Sequence, residues 1–267
     1  MEILQFAFMR RAILVCVLIS LMVPLMGTVI VLKRLSTMGE ALSHTGLAGV
    51  AIGLAAGLNP VAVAAVVSVL ASLAIEYIRK AFPKYAEIAA NVVLSAGIGA
   101  AAIVSGFIKN PASFNSFLFG SIVSISPFET RLVIGLSVIV IFFSVTMYKE
   151  LLFITMDEEA ARLVGVPANA LNIIFTVMTA VMVSVTARTV GALMISSLIV
   201  IPVACALLLA RSYRQTVLYA IGFAFVFTLS GLAISVAWNL KPGGTIVLTG
   251  VLCLFILLAI RKFASKK

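Results

Sequence analysis

Apolar runs long enough to cross a bilayer follow one another along almost the whole of this chain. They occupy residues 12–32, 38–58, 61–81, 87–108, 130–149, 169–187, 190–210, 215–238 and 244–262. A helix needs about 20 mostly apolar residues to span the hydrocarbon core. In lipid the backbone must satisfy its own hydrogen bonds, and a helix does so. Composition agrees: 63% of the residues are hydrophobic and 10% charged, where soluble domains have about 45–50% and about 25%. A water-soluble globular enzyme is excluded, and so is a disordered chain. The expected fold is all-α: one polytopic membrane helix bundle over residues 1–267, with 8–9 transmembrane helices. A further apolar piece, 114–125, is too short to cross. Lys109-Asn110-Pro111 precedes it and Pro127 follows it, so it reads as a short re-entrant helix whose ends protein must cover.

Charge sets the orientation. There are 19 Lys and Arg against 9 Asp and Glu, a net charge of +10. The basic residues stand singly or in pairs between apolar runs, with no basic stripe and no interleaved aromatics. Nucleic acid is therefore not an expected partner; membrane lipid is. Placing 79–84, 149–168, 211–215, the tail residues Arg261, Lys262, Lys266 and Lys267, and also Lys33 and Arg34 in the cytoplasm puts thirteen of the nineteen inside. Arg10, Arg11, Lys109, Arg131, Arg188 and Lys241 are left outside. The C-terminus is then inside. Exchanging Arg10 and Arg11 for Lys33 and Arg34 leaves the balance unchanged, so nine spans (N-terminus out) and eight spans (N-terminus in) both stand. The run 12–32 is too long for a signal-peptide core and has no small-x-small cleavage site, so it reads as a retained first span.

Three groups of residues invite chemistry. The first is Gly39-Glu40-Ala41-Leu42-Ser43-His44, near the start of the second run and containing the single histidine. Glu40 and His44 are four apart, so a helix puts both on one face. A carboxylate and an imidazole there form half a site for a divalent transition metal. The bland alternative is a Glu–His hydrogen bond closing a helical turn. An ionisable residue inside a membrane is costly and usually marks a pathway. Two ligands fall short of the four usual for zinc; a homodimer would bring two Glu and two His to its axis.

The second group is Asp157-Glu158-Glu159-Ala160-Ala161-Arg162-Leu163-Val164-Gly165-Val166-Pro167, between two spans. Asp157 is placed to cap a short helix and Gly165 to end it. Ala160, Ala161, Leu163 and Val164 give it an apolar side. It is either a plain polar loop or a docking helix for a soluble partner. The third group is Thr186–Pro202, where Pro202 inside an apolar run permits a kink that Ser196 and Ser197 can satisfy. Glu76, Glu87, Asn91 and Glu129 sit near run ends and are assigned no chemistry. Cys16, Cys205 and Cys253 lie within apolar runs, as packed small hydrophobes. The chain has no G-x-x-x-x-G-K-[ST] phosphate loop, no H-E-x-x-H and no Ser–His–Asp set. It is not expected to be an enzyme.

The segment Leu32–Gly53, built around Met38-Gly39-Glu40-Ala41-Leu42-Ser43-His44, resembles the signature of the zinc/manganese permeases of bacterial ABC importers. Glu159–Val166, Val190–Pro202 and Lys241–Leu248 resemble that family as well. The resemblance implies a type II importer fold similar to the vitamin B12 permease but smaller, in the bacterial cytoplasmic membrane. It implies a homodimer, two copies of a separate cytoplasmic ATP-binding subunit, and an extracellular or periplasmic metal-binding protein. It implies no permanently bound cofactor, with Zn2+ or Mn2+, zinc preferred, as the cargo. Glu40 and His44 match the family's metal-passage residues, although the family most often has Asp at position 40. The segment 157–166, with Asp157, Glu158, Glu159, Ala160, Arg162, Leu163 and Gly165, matches the element that couples to the ATPase. The competing reading is a stand-alone gradient-driven metal transporter or channel. That class needs no docking helix, and a neighbouring ATPase gene would speak against it.

Overall fold

A computed structural model describes residues 7–82, 85–108, 110–121 and 125–264. Lys84, Lys109, Lys266, Lys267 and the 122–124 part of the short apolar piece lie outside the described residues. Among the described residues the elements are all helical: α1 (Ala7–Leu32), α2 (Ser36–Ala56), α3 (Pro60–Ala81), α4 (Ala86–Ser105), α5 (Pro111–Phe119), α6 (Pro127–Thr146), α7 (Tyr148–Met156), α8 (Glu158–Leu163), α9 (Ala168–Val190), α10 (Ala192–Leu209), α11 (Tyr213–Trp238) and α12 (Pro242–Ala264).

Local chemistry sets most boundaries. Asn59 accepts hydrogen bonds from the backbone of Val61 and Ala62 and Pro60 follows at the first helical position, which starts α3. Ser126 and Glu129 form a reciprocal capping box at the start of α6. Gly191 has φ 102° and separates α9 from α10. A side chain there would also strike the backbone of Phe119 at 2.6 Å, so this turn has room only for glycine.

Eight of the described helices are long and apolar enough to cross a membrane: α1, α3, α4, α6, α9, α10, α11 and α12. The run at 38–58 forms α2, which has the length but not the composition. It carries Ser36, Thr37, Glu40, Ser43, His44 and Thr45. Thirteen of its 21 residues are buried, because α3, α4, α9 and α10 pack around it. Ser43 and Thr45 are thereby screened from lipid, whereas Glu40 stays exposed in the single chain.

α1 is the other inner helix, with Val15, Ile19, Met22, Val23, Met26 and Ile30 all fully buried. The outer helices instead turn large apolar side chains outward, among them Ile103, Phe142, Val145 and Phe255, as lipid-facing surfaces do. Hydroxyls join helices across the interior. Ser20 donates to Thr228 Oγ1 at 2.9 Å, and Thr245 donates to the Gly231 carbonyl at 2.8 Å. Such bonds and small-residue contacts hold membrane helices together where lipid removes the hydrophobic drive.

The bundle has two chemically distinct ends. At one, the Lys33–Leu35 turn, the C-terminal end of α3, α8 and the start of α9 meet. Tyr148 and Tyr213 touch edge-on at 5.4 Å, bringing the starts of α7 and α11 together. At the other end, Arg188 pairs with Glu129 and lies over Phe117 at 5.2 Å. Lys241 lies 3.8 Å above the Phe119 ring. The short helix α5 is bound there between α9, α10, α2 and α12, so it does not cross. It starts earlier than the apolar run suggested, because Asn110 caps it and Pro111 opens it.

Candidate metal path and coupling surface

Glu40 and His44 are on the first half of α2. At about 1.5 Å rise per residue they lie about 6 and 12 Å along the helix from Ser36. Glu40 is exposed in the single chain and His44 half-buried. The pair faces away from the inner wall: Gly39, Ala41 and Leu42 beside it are buried, with Gly39 directed at Ile199. Among the described residues neither side chain takes part in a hydrogen bond or ion pair. The turn-closing Glu–His bond that the spacing permits is not formed. Ser43 Oγ, in the same turn, is buried and without a hydrogen-bond partner among the described residues.

The backbone around His44 is pinned from behind. Gly97 of α4 crosses α2 there so closely that a Cβ would lie 2.7 Å from Thr45 Cγ2 and 3.1 Å from the His44 carbonyl carbon. Among the described residues no three His, Cys, Asp or Glu side chains converge. One chain therefore offers two donors at most, a carboxylate oxygen and an imidazole nitrogen.

The 157–166 segment folds as expected at both its ends. Asp157 Oδ1 accepts from the backbone of Glu159 at 2.9 Å and Ala160 at 3.0 Å. Gly165, with φ 88°, ends the helix, and Val166 N reaches back to the Ala161 carbonyl at 3.0 Å. The apolar side is divided, however. Ala161 is buried against the bundle, whereas Ala160, Leu163 and Val164 point outward, Leu163 with 91% of its surface exposed. Phe153 and Met156, on the preceding α7, add to this exposed apolar surface. Residues 149–156, expected from sequence as part of a cytoplasmic loop, are helical as α7. Its Leu151 and Ile154 are buried, a spacing hidden by the apolar residues around them. Asp157, Glu159, Arg162 and Gly165 are also exposed.

Glu158 differs from its neighbours because it points inward. Its Oε2 accepts from Lys33 Nζ at 3.1 Å and lies 3.9 Å from Arg79 Nη1. Its Oε1 accepts from Arg162 at 2.7 Å and from Asn172 Nδ2 at 3.0 Å. Burial pushes this carboxyl up. The charge and hydrogen bond of Lys33, the hydrogen bond of Arg162 and the charge of Arg79 together outweigh it and bring it down to about 2. Burial likewise lowers Lys33, against the opposing pull of Glu158. Glu76, buried and assigned no chemistry from sequence, pairs with Arg79 at 2.9 Å. Glu129, treated in the same way, pairs with Arg188 at the opposite end.

The sequence profile of the ABC 3 transport family matches residues 5–261. The chain belongs to the ABC 3 transport family. This ABC 3 chain is 35% identical over 259 residues to a "Probable metal transport system membrane protein" of Treponema pallidum, covering 96% of this chain and 97% of the relative. It is 28% identical to a manganese transport system membrane protein of Listeria monocytogenes, covering 95% and 90%. It is 24% identical to a high-affinity zinc uptake system membrane protein of Haemophilus influenzae, covering 91% and 94%. Its fold superimposes on a chain of PsaBC from Streptococcus pneumoniae, solved in complex with a Fab, with a TM-score of 0.84 and 27% identity over 95% of this chain and 92% of that one. The ABC 3 chain is thus an ABC-type permease and a multi-pass protein of a bacterial membrane. The resemblance carried by Leu32–Gly53 and Glu159–Val166 led to the right family.

Proposed function

We propose that this chain is the membrane-spanning subunit of an ATP-driven importer of a divalent transition metal, zinc in preference to manganese. The observation that carries the reading is the Glu40–His44 pair: two metal-ligating side chains on one face of an inner helix, with no partner in their own chain among the described residues. Leaving ionisable groups unpaired in a membrane bundle is costly unless a ligand or a second subunit meets them. A homodimer with both pairs at its axis offers two carboxylates and two imidazoles. That set suits tetrahedral zinc better than manganese, which prefers six oxygen-rich ligands. An exchangeable site of this kind lets the ion leave again.

The Lys33 end is the cytoplasmic one, since most of the basic residues gather there. Nine crossings, α2 included, then place the N-terminus outside. The exposed apolar surface of α7 and α8, with Asp157, Glu159, Ala160, Arg162, Leu163 and Gly165, receives one of two ATP-binding subunits. An extracellular or periplasmic metal-binding protein delivers the ion at the Arg188 end. ATP binding moves α8, the bundle tilts, and access to Glu40 and His44 alternates between the two sides.

The test is uptake into proteoliposomes by the purified chain, alone and with its ATPase and binding protein, with zinc and manganese in competition. Uptake that requires both partners and ATP is the expected result, with zinc the better cargo. Uptake by the chain alone would make it a gradient-driven carrier instead.

A further inference from the structure

Glu158 occupies an unusual position for a residue on a six-residue helix at the edge of a bundle. Both its oxygens are engaged by four side chains from four places: Lys33 after α1, Arg79 near the end of α3, Arg162 of α8 itself and Asn172 near the start of α9. Lys33 is held on its other side by Asn172 Oδ1 at 2.7 Å, and its side chain is only 8% exposed. A lysine so enclosed has one favourable arrangement, with its ammonium between the carboxylate and the amide.

The turn that carries Lys33 is also stiff. Arg34 N donates to the Val31 carbonyl at 3.0 Å and Leu35 N to the Ile30 carbonyl at 2.9 Å. Arg34 adopts φ 57° to permit this, a conformation that L residues avoid. α2 begins at Ser36, immediately after the turn. Nothing flexible therefore separates Lys33 from the helix bearing Glu40 and His44. The other side of Glu158 faces open space: a cavity of about 540 Å³ lined by Glu76, Arg79, Lys80, Glu159, Arg162 and Asn169 as well as Glu158. α8 has room to shift there, and Glu158 is the group that would carry the shift inward.

Resting on the importer reading above, we infer that Glu158 is the joint that converts movement of α8 into movement of α2, with Lys33 as its partner on the α1–α2 turn. Glu158 is accordingly not part of the surface that binds the ATPase, and Lys33 is a positioning residue for Glu40 and His44 without touching the ion. Asn172 orients both partners, and Arg79 ties the end of α3 to the same joint.

The test measures ions moved per ATP hydrolysed, in proteoliposomes holding the permease with its ATPase, supplied with binding protein and zinc. For Lys33→Met and Glu158→Gln, ATP hydrolysis is expected to stay within about twofold of the unaltered complex while zinc moved per ATP falls by about tenfold, within the range of intramolecular couplings. Lys33→Arg, which keeps the charge, is expected to preserve the ratio. If Lys33→Met does not assemble, Asn172→Ala trims the same joint from the other side and takes its place. An unchanged ratio in these variants, or equal losses of hydrolysis and uptake, would overturn the inference and leave Glu158 as a structural or docking residue. Failure of the unaltered complex to take up zinc or manganese with ATP would overturn the importer reading, and this inference with it.

Discussion

Glu158 and Glu40 are both carboxylates near the Lys33 end of the bundle, and their surroundings are opposite. Glu158 has four partners that use both its oxygens, and its charge is fixed across the physiological range. Glu40, with His44 one turn on, has none in its own chain among the described residues. A fully partnered charge ties the elements that carry its partners to one another. An unpartnered pair of metal-ligating groups on a face that the chain does not cover is available to something outside the chain. On the importer reading proposed above, the contrast separates residues that would transmit movement from residues that would meet cargo, although both groups belong to the stretches that resemble the permease family.

The largest expected effect is on the unpartnered side. On that reading His44→Ala removes one of two donors per chain, and uptake is expected to fall by at least about a hundredfold, the upper end of what losing even a supporting partner of a metal ligand costs, while dimer assembly measured by light scattering is unchanged. Normal uptake by this variant would remove the contrast altogether. A smaller effect is expected from Leu163→Asp, on the 91% exposed tip of α8. The isolated permease should unfold at the same temperature, while its affinity for the ATPase, measured by pull-down titration, falls by about tenfold, the scale of losing an apolar anchor.

Next comes Gly97→Leu, where the added side chain meets Thr45 within 2.7 Å. It should destabilise the bundle by about 1–3 kcal/mol through overpacking, seen as a lower unfolding temperature in detergent. Because the clash is beside His44, zinc binding should weaken with it.

The pH response of the partnered side is expected to be smaller still. Glu158 titrates below its ordinary 4.5, at about 2, so its stabilising contribution is complete above pH 4.5 and is lost as the pH falls towards 2. Acid unfolding followed by tryptophan fluorescence of Trp238 should therefore have a shallower pH dependence in Glu158→Gln than in the unaltered chain, and the two should differ little between pH 5 and 8. The least effect belongs to Glu40→Asp. Shortening the side chain pulls the oxygen inward by one methylene, and it should alter the zinc-to-manganese preference by only a few-fold, read in competition uptake.

Much of this was legible in the sequence, for local reasons. Asn59-Pro60, Asn110-Pro111, Ser126-Pro127, Asp157 and Gly165 each act within four residues of where they stand, so the helices they bound could be located from the string of residues. The pairing of Glu40 with His44 on one face is equally local. What could not be read depends on distant contacts. Glu129 meets Arg188 from 59 residues away, and Lys33 meets Glu158 from 125 residues away. Glu129 therefore passed for an interfacial residue; Glu76 meets Arg79 only three residues on, and what could not be read there is its burial by neighbouring helices. Orientation at the N-terminus had the same limit. Basic residues alone balanced either way, and only the contact between Lys33 and Glu158 places the end of α1 beside α8. The apolar side of α8 was visible as composition, but its division between buried Ala161 and exposed Leu163 depends on how α8 packs against α7 and α9.

The polar content of α2 has a consequence for how the chain is made. A segment enters the bilayer from the translocon according to its own hydropathy, and polar and charged residues such as those in the first half of α2 weigh against entry. α2 is not among the helices apolar enough to qualify, so it cannot be relied on to leave the channel alone. The expected route is entry with α3, which is apolar and packs along it, as half of a hairpin. A ribosome halted before residue 60 would then leave Glu40 and His44 outside the bilayer, and the order of synthesis becomes part of the fold.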